Sequence, residues 1–157
     1  MSAPHVSGAG DGCIGSSSFP TQYFTRAAAA LLARWAEDGT APPRAPRIEL
    51  AKLGPVSVAR NDRYGNALGG VRSPFVDVPL ARYEVHTGPA PTCKQFGKAT
   101  QLSADLLRRR YDGVEEYMKE FTTKLDATVS AGFLLESDRQ AILQAQRTEA
   151  KRAFGLS

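Results

Sequence analysis

The sequence predicts a domain that mixes helices with strands: one helix, then an extended or β arm, then a helical C-terminal third. Three patterns support this prediction. Apolar residues recur at helical spacing over 22–38, apolar and polar residues alternate between 47 and 58, and helical spacing returns after residue 103. With 157 residues, the chain is long enough for one domain with a sizeable core.

The first helix is predicted over residues 22–38. Its apolar stripe, typical of an amphipathic helix, consists of Tyr23, Ala27, Leu31 and Trp35. Gly39 suits the position after a helix, where a positive φ is needed. Residues 1–20 are rich in glycine and serine, which predicts a loop.

An extended or β arm is predicted over residues 47–85. Its apolar positions alternate with polar ones on both sides of Gly54-Pro55. The pair Gly69-Gly70 gives a backbone that can bend sharply or approach another chain closely. Pro74 and Pro79 reduce the run between them to an edge strand or an extended arm. Residues 86–101 are predicted to form a further loop rich in proline and glycine.

The last third is predicted to hold helices over 104–153. The expected ranges are 103–111, 112–132 and 137–153. Asp112 with Glu115 three residues later matches a capping box, which would start the second of these helices.

The composition is that of an ordinary soluble globular protein, with 42% hydrophobic and 23% charged residues and a net charge of +4. The densest basic run, Arg108-Arg109-Arg110, lies between Asp105 and Asp112. No nucleic-acid reader motif accompanies it, so a solvated helix face is favoured and no nucleic-acid partner is expected.

No membrane partner is expected either. The apolar run 27–33 is far shorter than the roughly 20 residues of a spanning helix. The N-terminus has neither the basic nor the apolar region of a signal peptide, which makes a cytoplasmic location the default expectation. A secreted parent protein remains compatible with this, because a signal would be lost from a truncated piece.

The cysteines and histidines do not predict a metal site. The spacings among Cys13, Cys93, His5 and His86 differ from those of structural zinc sites, so no metal or other cofactor is expected. A Cys13–Cys93 disulfide and two free thiols both stay open.

No catalytic residue is predicted from the residues themselves, and the substrate-binding residues stay unknown. The run 15–19, Gly-Ser-Ser-Ser-Phe, lacks the second glycine and the preceding strand of a serine nucleophile elbow. The glycine-rich run 8–12 lacks the strand and the lysine of a phosphate-binding loop. His86 has no nearby acidic residue to orient it.

Two carboxylates and an arginine surround the Gly69-Gly70 pair. We expect Asp62 to cap a turn and Asp77 to be exposed to solvent, because nothing in the spacing fixes them on one face. For Arg72 a structural ion pair is favoured, and a role beside an active site is the alternative.

Residues 62–81, DRYGNALGGVRSPFVDVPLA, form the most distinctive stretch. It resembles the C-terminal region of a family of α/β-hydrolase-domain proteins, which has the pattern Asp-x-x-Gly-Asn-Ala-x-Gly-Gly-Val/Ile-Arg-x-Pro-x-Val-Asp-Val-Pro. Blocks at 28–49, 93–97 and 131–135 follow the same family in order, so that the resemblance covers roughly residues 20–145.

The resemblance implies a partial α/β fold. Residues 22–38 would be the last core helix of an α/β-hydrolase fold, followed by the arm 47–85 and the C-terminal helices, all within one unit over 21–157. Residues 1–20 would be a remnant of the loop that carries the catalytic histidine. In that loop 6–11 match the family pattern Val-x-Gly-(small)-x-His except at the last position, which is Asp11.

The implied function is that of a C-terminal fragment or divergent remnant of a serine ester hydrolase, acting on carboxylic esters or related acyl bonds. Without the nucleophile elbow the chain would be inactive alone. The alternative is a non-enzymatic interaction module, or a subunit that completes a split hydrolase. The expected partner is the missing N-terminal hydrolase part or a partner chain.

Overall fold

A computed structural model of the chain describes residues 17–84 and 97–156. Five α-helices and four short strands lie in this part. In chain order they are α1 Thr21–Asp38, β1 Leu50–Leu53, β2 Val56–Ala59, α2 Pro74–Asp77, β3 Ala81–Glu84, β4 Lys98–Gln101, α3 Ala104–Arg110, α4 Gly113–Ser130, the 3₁₀ turn Glu136–Asp138 and α5 Arg139–Ala153. Within these residues, no helix combines the length and the apolarity that crossing a bilayer requires.

Helix α1 begins one residue before its predicted start and ends at the predicted residue. Gly39 follows with a φ of 77°, and its N–H donates to the carbonyl of Trp35 at 3.0 Å. Only Ala27 is buried in this helix. Arg26 fixes its first half to the rest of the protein through a double hydrogen bond to Asp138, at 2.8 and 3.1 Å.

The predicted arm begins with a β-hairpin. Strands β1 and β2 pair antiparallel, with Leu50 opposite Ala59 and Leu53 opposite Val56. Nearly every residue of the hairpin is exposed. Because opposite residues point to the same side, Leu53 and Val56 share one face with Ala51 and Val58, and that face is apolar.

Two parts of the predicted arm and loop are corrected. The run between Pro74 and Pro79 forms the short helix α2 rather than an edge strand, because proline is well suited to the first helical position, where its missing N–H is not needed. Lys98–Gln101, predicted as loop, is strand β4, because it pairs antiparallel with β3. This strand depends on a distant partner rather than on a local pattern.

The C-terminal helices occupy the predicted region, with one correction at a helix start. Ser103 caps α3 by accepting a hydrogen bond from the N–H of Leu106 at 3.3 Å. The capping box predicted at Asp112 does not form, since the Asp112 side chain accepts no capping hydrogen bond. Glu115 instead pairs with Arg147 of α5.

One core lies around α4, between α2, α3 and α5. Its fully buried side chains include Leu107, Tyr117, Phe121, Leu125 and Ile142. The rings pack edge to face, which is the favoured geometry for aromatic pairs: the centroids of Tyr111 and Tyr117 are 5.1 Å apart, and those of Phe75 and Phe121 are 5.3 Å apart. The predicted mixture of helices and strands is confirmed, with two small antiparallel sheets in the described residues.

Candidate functional site

Four charged side chains meet where the arm packs on α4. The guanidinium of Arg72 donates to Asp62 at 2.8 Å, to Asp77 and to the carbonyl oxygen of Ala67. Lys124 of α4 binds the second oxygen of Asp77. We call Asp62, Arg72, Asp77 and Lys124 the Arg72 cluster. The structural ion pair predicted for Arg72 is confirmed.

The Arg72 cluster is largely shielded from solvent. The side chain of Arg72 is 23% exposed, and that of Asp77 is 20% exposed. The prediction that Asp77 is solvent-exposed is therefore wrong, because α2 turns this carboxylate towards Arg72 and Lys124. Burial lowers the pKa of Arg72, but hydrogen bonds and charges from Asp62 and Asp77 outweigh burial and raise this pKa above its ordinary value. Arg72 stays protonated and cannot serve as a base.

Asp62 also holds a turn together, as predicted. Its second oxygen accepts hydrogen bonds from the N–H of Tyr64 at 2.8 Å and of Asn66 at 3.0 Å. Asn66 is buried and uses both ends of its amide on β3. It accepts from the N–H of Tyr83 at 2.9 Å and donates to the carbonyl of Ala81 at 3.2 Å. The turn and the strand are thereby fixed to each other.

Sequence reasoning places Asn66 in a turn with Asp62 but misses its hydrogen bonds to β3, and it misses Lys124 altogether. The spacing of Asp62 and Asn66 around a glycine is a turn signal that points to Asn66. No local signal points to Lys124, because its contact with Asp77 depends on how α2 packs against α4.

The Gly69-Gly70 pair allows the arm to pack closely against the segment before β1. Both residues have positive φ, 76° and 70°. A Cβ on Gly69 would overlap the carbonyl oxygen of Arg47, and the N–H of Gly70 donates to the carbonyl of Pro46 at 3.0 Å. The sequence-based expectation of a close backbone approach is met within this one chain.

A cavity of 390 Å³ lies beside the Arg72 cluster. Its polar members are Arg72, Asp77, Lys124 and Thr128, and the others are small or apolar residues of the arm, of α4 and of the segments next to them. No serine, cysteine or histidine is among these lining residues. The Thr128 hydroxyl donates to the carbonyl of Lys124 at 2.8 Å. The described lining of the cavity therefore has no paired nucleophile and base for bond cleavage.

Ser17 and Ser18 of the run 15–19 lie elsewhere. Ser18 lines a separate cavity of 170 Å³, together with Tyr83 and Glu149. Ser17 accepts a hydrogen bond from the N–H of Phe19 at 3.2 Å. Burial raises the pKa of Tyr83 to about 12, so this phenol keeps its proton at neutral pH.

Several predicted features lie outside the described residues. These are His5, Asp11, Cys13, Ser16, His86 and Cys93. The histidine-loop assignment and the alternatives of a disulfide or free thiols thus stay predictions. Among residues 17–84 and 97–156, no three histidine, cysteine or carboxylate side chains converge as a metal site.

A family model described as an alpha/beta hydrolase domain matches residues 4–144. The chain belongs to this alpha/beta hydrolase family. The match covers α1, the arm, the Arg72 cluster and most of the C-terminal helices, so the family resemblance of the sequence is confirmed. Neither curated proteins nor solved structures give a match.

Proposed function

We propose that this chain is the C-terminal part of a serine ester hydrolase domain, or a divergent remnant of one, and that it does not hydrolyse esters alone. The family match supports hydrolase ancestry. The Gly-x-Ser-x-Gly pattern of a nucleophile elbow occurs nowhere in the sequence. Within residues 17–84 and 97–156, both sheets are two-stranded and antiparallel. The chain therefore requires another segment to provide the strand-to-helix turn on which such a serine sits.

The observation that carries this proposal is the apolar face of α1, which no residue of 17–84 and 97–156 covers. From Ala28 to Ala36 no residue is buried, although the sequence is almost entirely apolar. Leu32 and Trp35 are 61% and 53% exposed. A helix with an apolar stripe normally covers it with a neighbouring element. We infer that this face packs on the missing part of the hydrolase domain.

The hairpin supports the same inference. Its apolar face is also uncovered, with Leu53 66% and Val56 53% exposed. A two-stranded hairpin is only marginally stable without a packing partner. Two separate apolar faces of the arm and α1 thus lack a cover in the described residues.

In the complete domain the chemistry would be acyl transfer. A serine on the other segment would attack the ester carbonyl, a histidine would accept and return the proton, and backbone N–H groups would stabilise the oxyanion. This chain would supply the last core helix, the Gly69-Gly70 arm and the helices around α4. Arg72 would have a structural role there, because its two carboxylate partners already neutralise it.

A second candidate function, a subunit that folds alone and completes a split hydrolase, is favoured by the core around α4. That core is closed by residues of this chain, with Tyr117 and Phe121 fully buried. The core around α4 would keep the chain folded before α1 binds its partner. The purified chain should then unfold cooperatively and remain inert towards p-nitrophenyl esters, whether it arose as a fragment or as a subunit.

The single tryptophan provides the test of docking. The chain is mixed with a polypeptide that carries the upstream part of a family member, including its Gly-x-Ser-x-Gly turn. Because Trp35 is half exposed, docking should shift its fluorescence to shorter wavelength and reduce its quenching by acrylamide. Ester hydrolysis should appear only in the mixture.

A charge in the apolar face provides the matched comparison. Leu32→Glu should abolish both the fluorescence shift and the hydrolysis, whereas Leu156→Glu should leave both unchanged, although Leu156 is similarly exposed at 55%. Ester hydrolysis by the chain alone, lost in His5→Ala, contradicts the proposal. So does a mixture in which Trp35 stays fully quenchable.

A further inference from the structure

The three arginines of the run 108–110 separate in the structure. Arg108 pairs with Asp105 at 2.9 Å on the exposed side of α3. Arg110 donates to both oxygens of Glu120 on α4, with one bond of 2.8 Å. Arg109 has no acidic partner among residues 17–84 and 97–156. Arg108 and Arg109 are exposed, as predicted for a solvated helix face, whereas Arg110 is half-buried.

Arg109 and Arg110 line a cavity of 310 Å³ together with Arg63, Tyr64 and Leu106. This volume is at the lower end of the range of small-molecule sites, about 300–1,000 Å³. Arg63 comes from the turn held by Asp62, whereas the other two arginines come from α3. Guanidinium groups from two stretches that are far apart in sequence thus line one concave surface.

The part of the chain that the structure describes does not balance the charge of this cavity. Glu120 neutralises Arg110, but Arg63, like Arg109, has no acidic partner in the described residues. Both guanidinium groups therefore lack a carboxylate partner among residues 17–84 and 97–156.

Aromatic rings hold two of the guanidinium groups in place. The guanidinium of Arg63 lies 4.9 Å from the ring centre of Tyr64, and that of Arg110 lies 4.4 Å from the ring centre of Tyr111. The Nε of Arg110 is buried and has no acceptor in the described residues. Stacked arginines lose little further freedom when they bind an oxyanion.

We propose that this cavity binds small phosphate monoesters, with Arg63 and Arg109 holding the phosphate and Tyr64 and Leu106 contacting the organic group. A phosphate monoester carries close to two negative charges at neutral pH, which matches the two guanidinium groups that have no acidic partner among the described residues. Its oxygens also fit the planar fork of N–H donors that arginine presents. A carboxylate carries half this charge and matches the cavity less well.

To test this, the full chain is titrated with phenyl phosphate and the heat of binding is measured by isothermal titration calorimetry. Saturable binding at one site is expected, with benzoate weaker by about tenfold because it lacks the second charge. Arg63→Gln and Arg109→Gln should each weaken phenyl phosphate binding by about tenfold or more. The melting temperature of each variant is measured alongside, and the two variants lie on different elements, so a folding defect in one leaves the other informative.

Arg108→Gln is the matched control, because it removes the same charge from the same helix outside the cavity. Phenyl phosphate binding should be unchanged in this variant. Equal loss in Arg108→Gln overturns the proposal, because it indicates diffuse attraction rather than a site. The absence of saturable binding at millimolar phenyl phosphate overturns it too, as does binding of a single-stranded oligonucleotide without any binding of phenyl phosphate.

Discussion

Arg72 is the residue on which the arm depends, and its geometry requires an arginine. The side chain offers five N–H donors in a fixed plane, and they reach two carboxylates and the carbonyl of Ala67 at once. A lysine has one ammonium group at the end of a flexible stem and cannot reach all three acceptors. The contacts of position 72 therefore require arginine rather than lysine, although both carry one positive charge.

Replacing Arg72 should lower the free energy of unfolding by about 2–4 kcal/mol, because Asp62 and Asp77 would be left shielded from solvent without their partner. Arg72→Lys should recover only part of this loss relative to Arg72→Gln. Urea denaturation measures both. Arg60→Gln, which breaks the exposed pair with Glu49, should cost about 0–1 kcal/mol. An equal cost at both positions would contradict the structural role of the cluster.

At the residue scale, sequence reasoning reached those contacts that are local. The turn role of Asp62 follows from its own neighbours in the chain, and an ion pair for Arg72 follows from the general behaviour of shielded arginines. The shielding of Asp77 and the participation of Lys124 require the position of α4, which no nearby residue encodes.

Among the elements, the two neighbouring helix starts, α3 and α4, differ in how their first N–H groups are satisfied. Ser103 accepts from Leu106 and caps α3. Asp112 stands at the corresponding position of α4, yet its side chain makes no such bond. Both residues are common helix caps, and their identity alone does not separate them.

Ser103→Ala should therefore lower the free energy of unfolding by about 1 kcal/mol, because α3 loses its capping hydrogen bond. Asp112→Ala should cost only a few tenths of a kcal/mol, about the contribution of a negative charge near a helix start. Chemical denaturation of the two variants, side by side, measures the difference. If Asp112→Ala proves the more damaging change, the capping box predicted from the sequence does form in solution.

Elements with a local pattern were predictable, and those that depend on distant partners were not. Helix α1 has its stripe and its terminal glycine within one stretch of sequence. Strand β4 exists through pairing with β3, and α2 forms where proline is compatible with either a helix start or an extended arm. The exposure of the two apolar faces could not be predicted either. A hydrophobic pattern indicates which face of an element should be covered, but not whether the chain supplies the cover.

On the scale of the whole molecule, three shielded tyrosines make the free energy of unfolding depend on alkaline pH. Burial raises the pKa of Tyr83 to about 12, and it raises the pKa of Tyr111 and Tyr117 as well. A tyrosine with a higher pKa in the folded state keeps its proton longer when folded. Its contribution to stability is complete below the unfolded value of about 10 and is lost as pH rises above it.

The free energy of unfolding should therefore fall as pH rises above about 10, by up to roughly 1.4 kcal/mol per pH unit for each buried tyrosine. Urea midpoints over this range, together with the ultraviolet absorbance of phenolate, measure the effect. Tyr83→Phe should make the decline less steep. Stability that stays constant through this range would show that these phenols are open to solvent.

The contact between Gly69 and the carbonyl of Arg47 has a consequence for how the sequence can vary. Position 69 admits only glycine, since any side chain would collide with backbone that cannot move aside. At position 70 the nearest atoms belong to the side chain of Ile48, which can yield, so there only the positive φ of 70° opposes replacement. The first glycine of the pair is therefore dictated by the packing of two stretches of backbone. A glycine at the same position of a related chain would indicate that the same two stretches of backbone pack closely there, whether or not that chain catalyses a reaction.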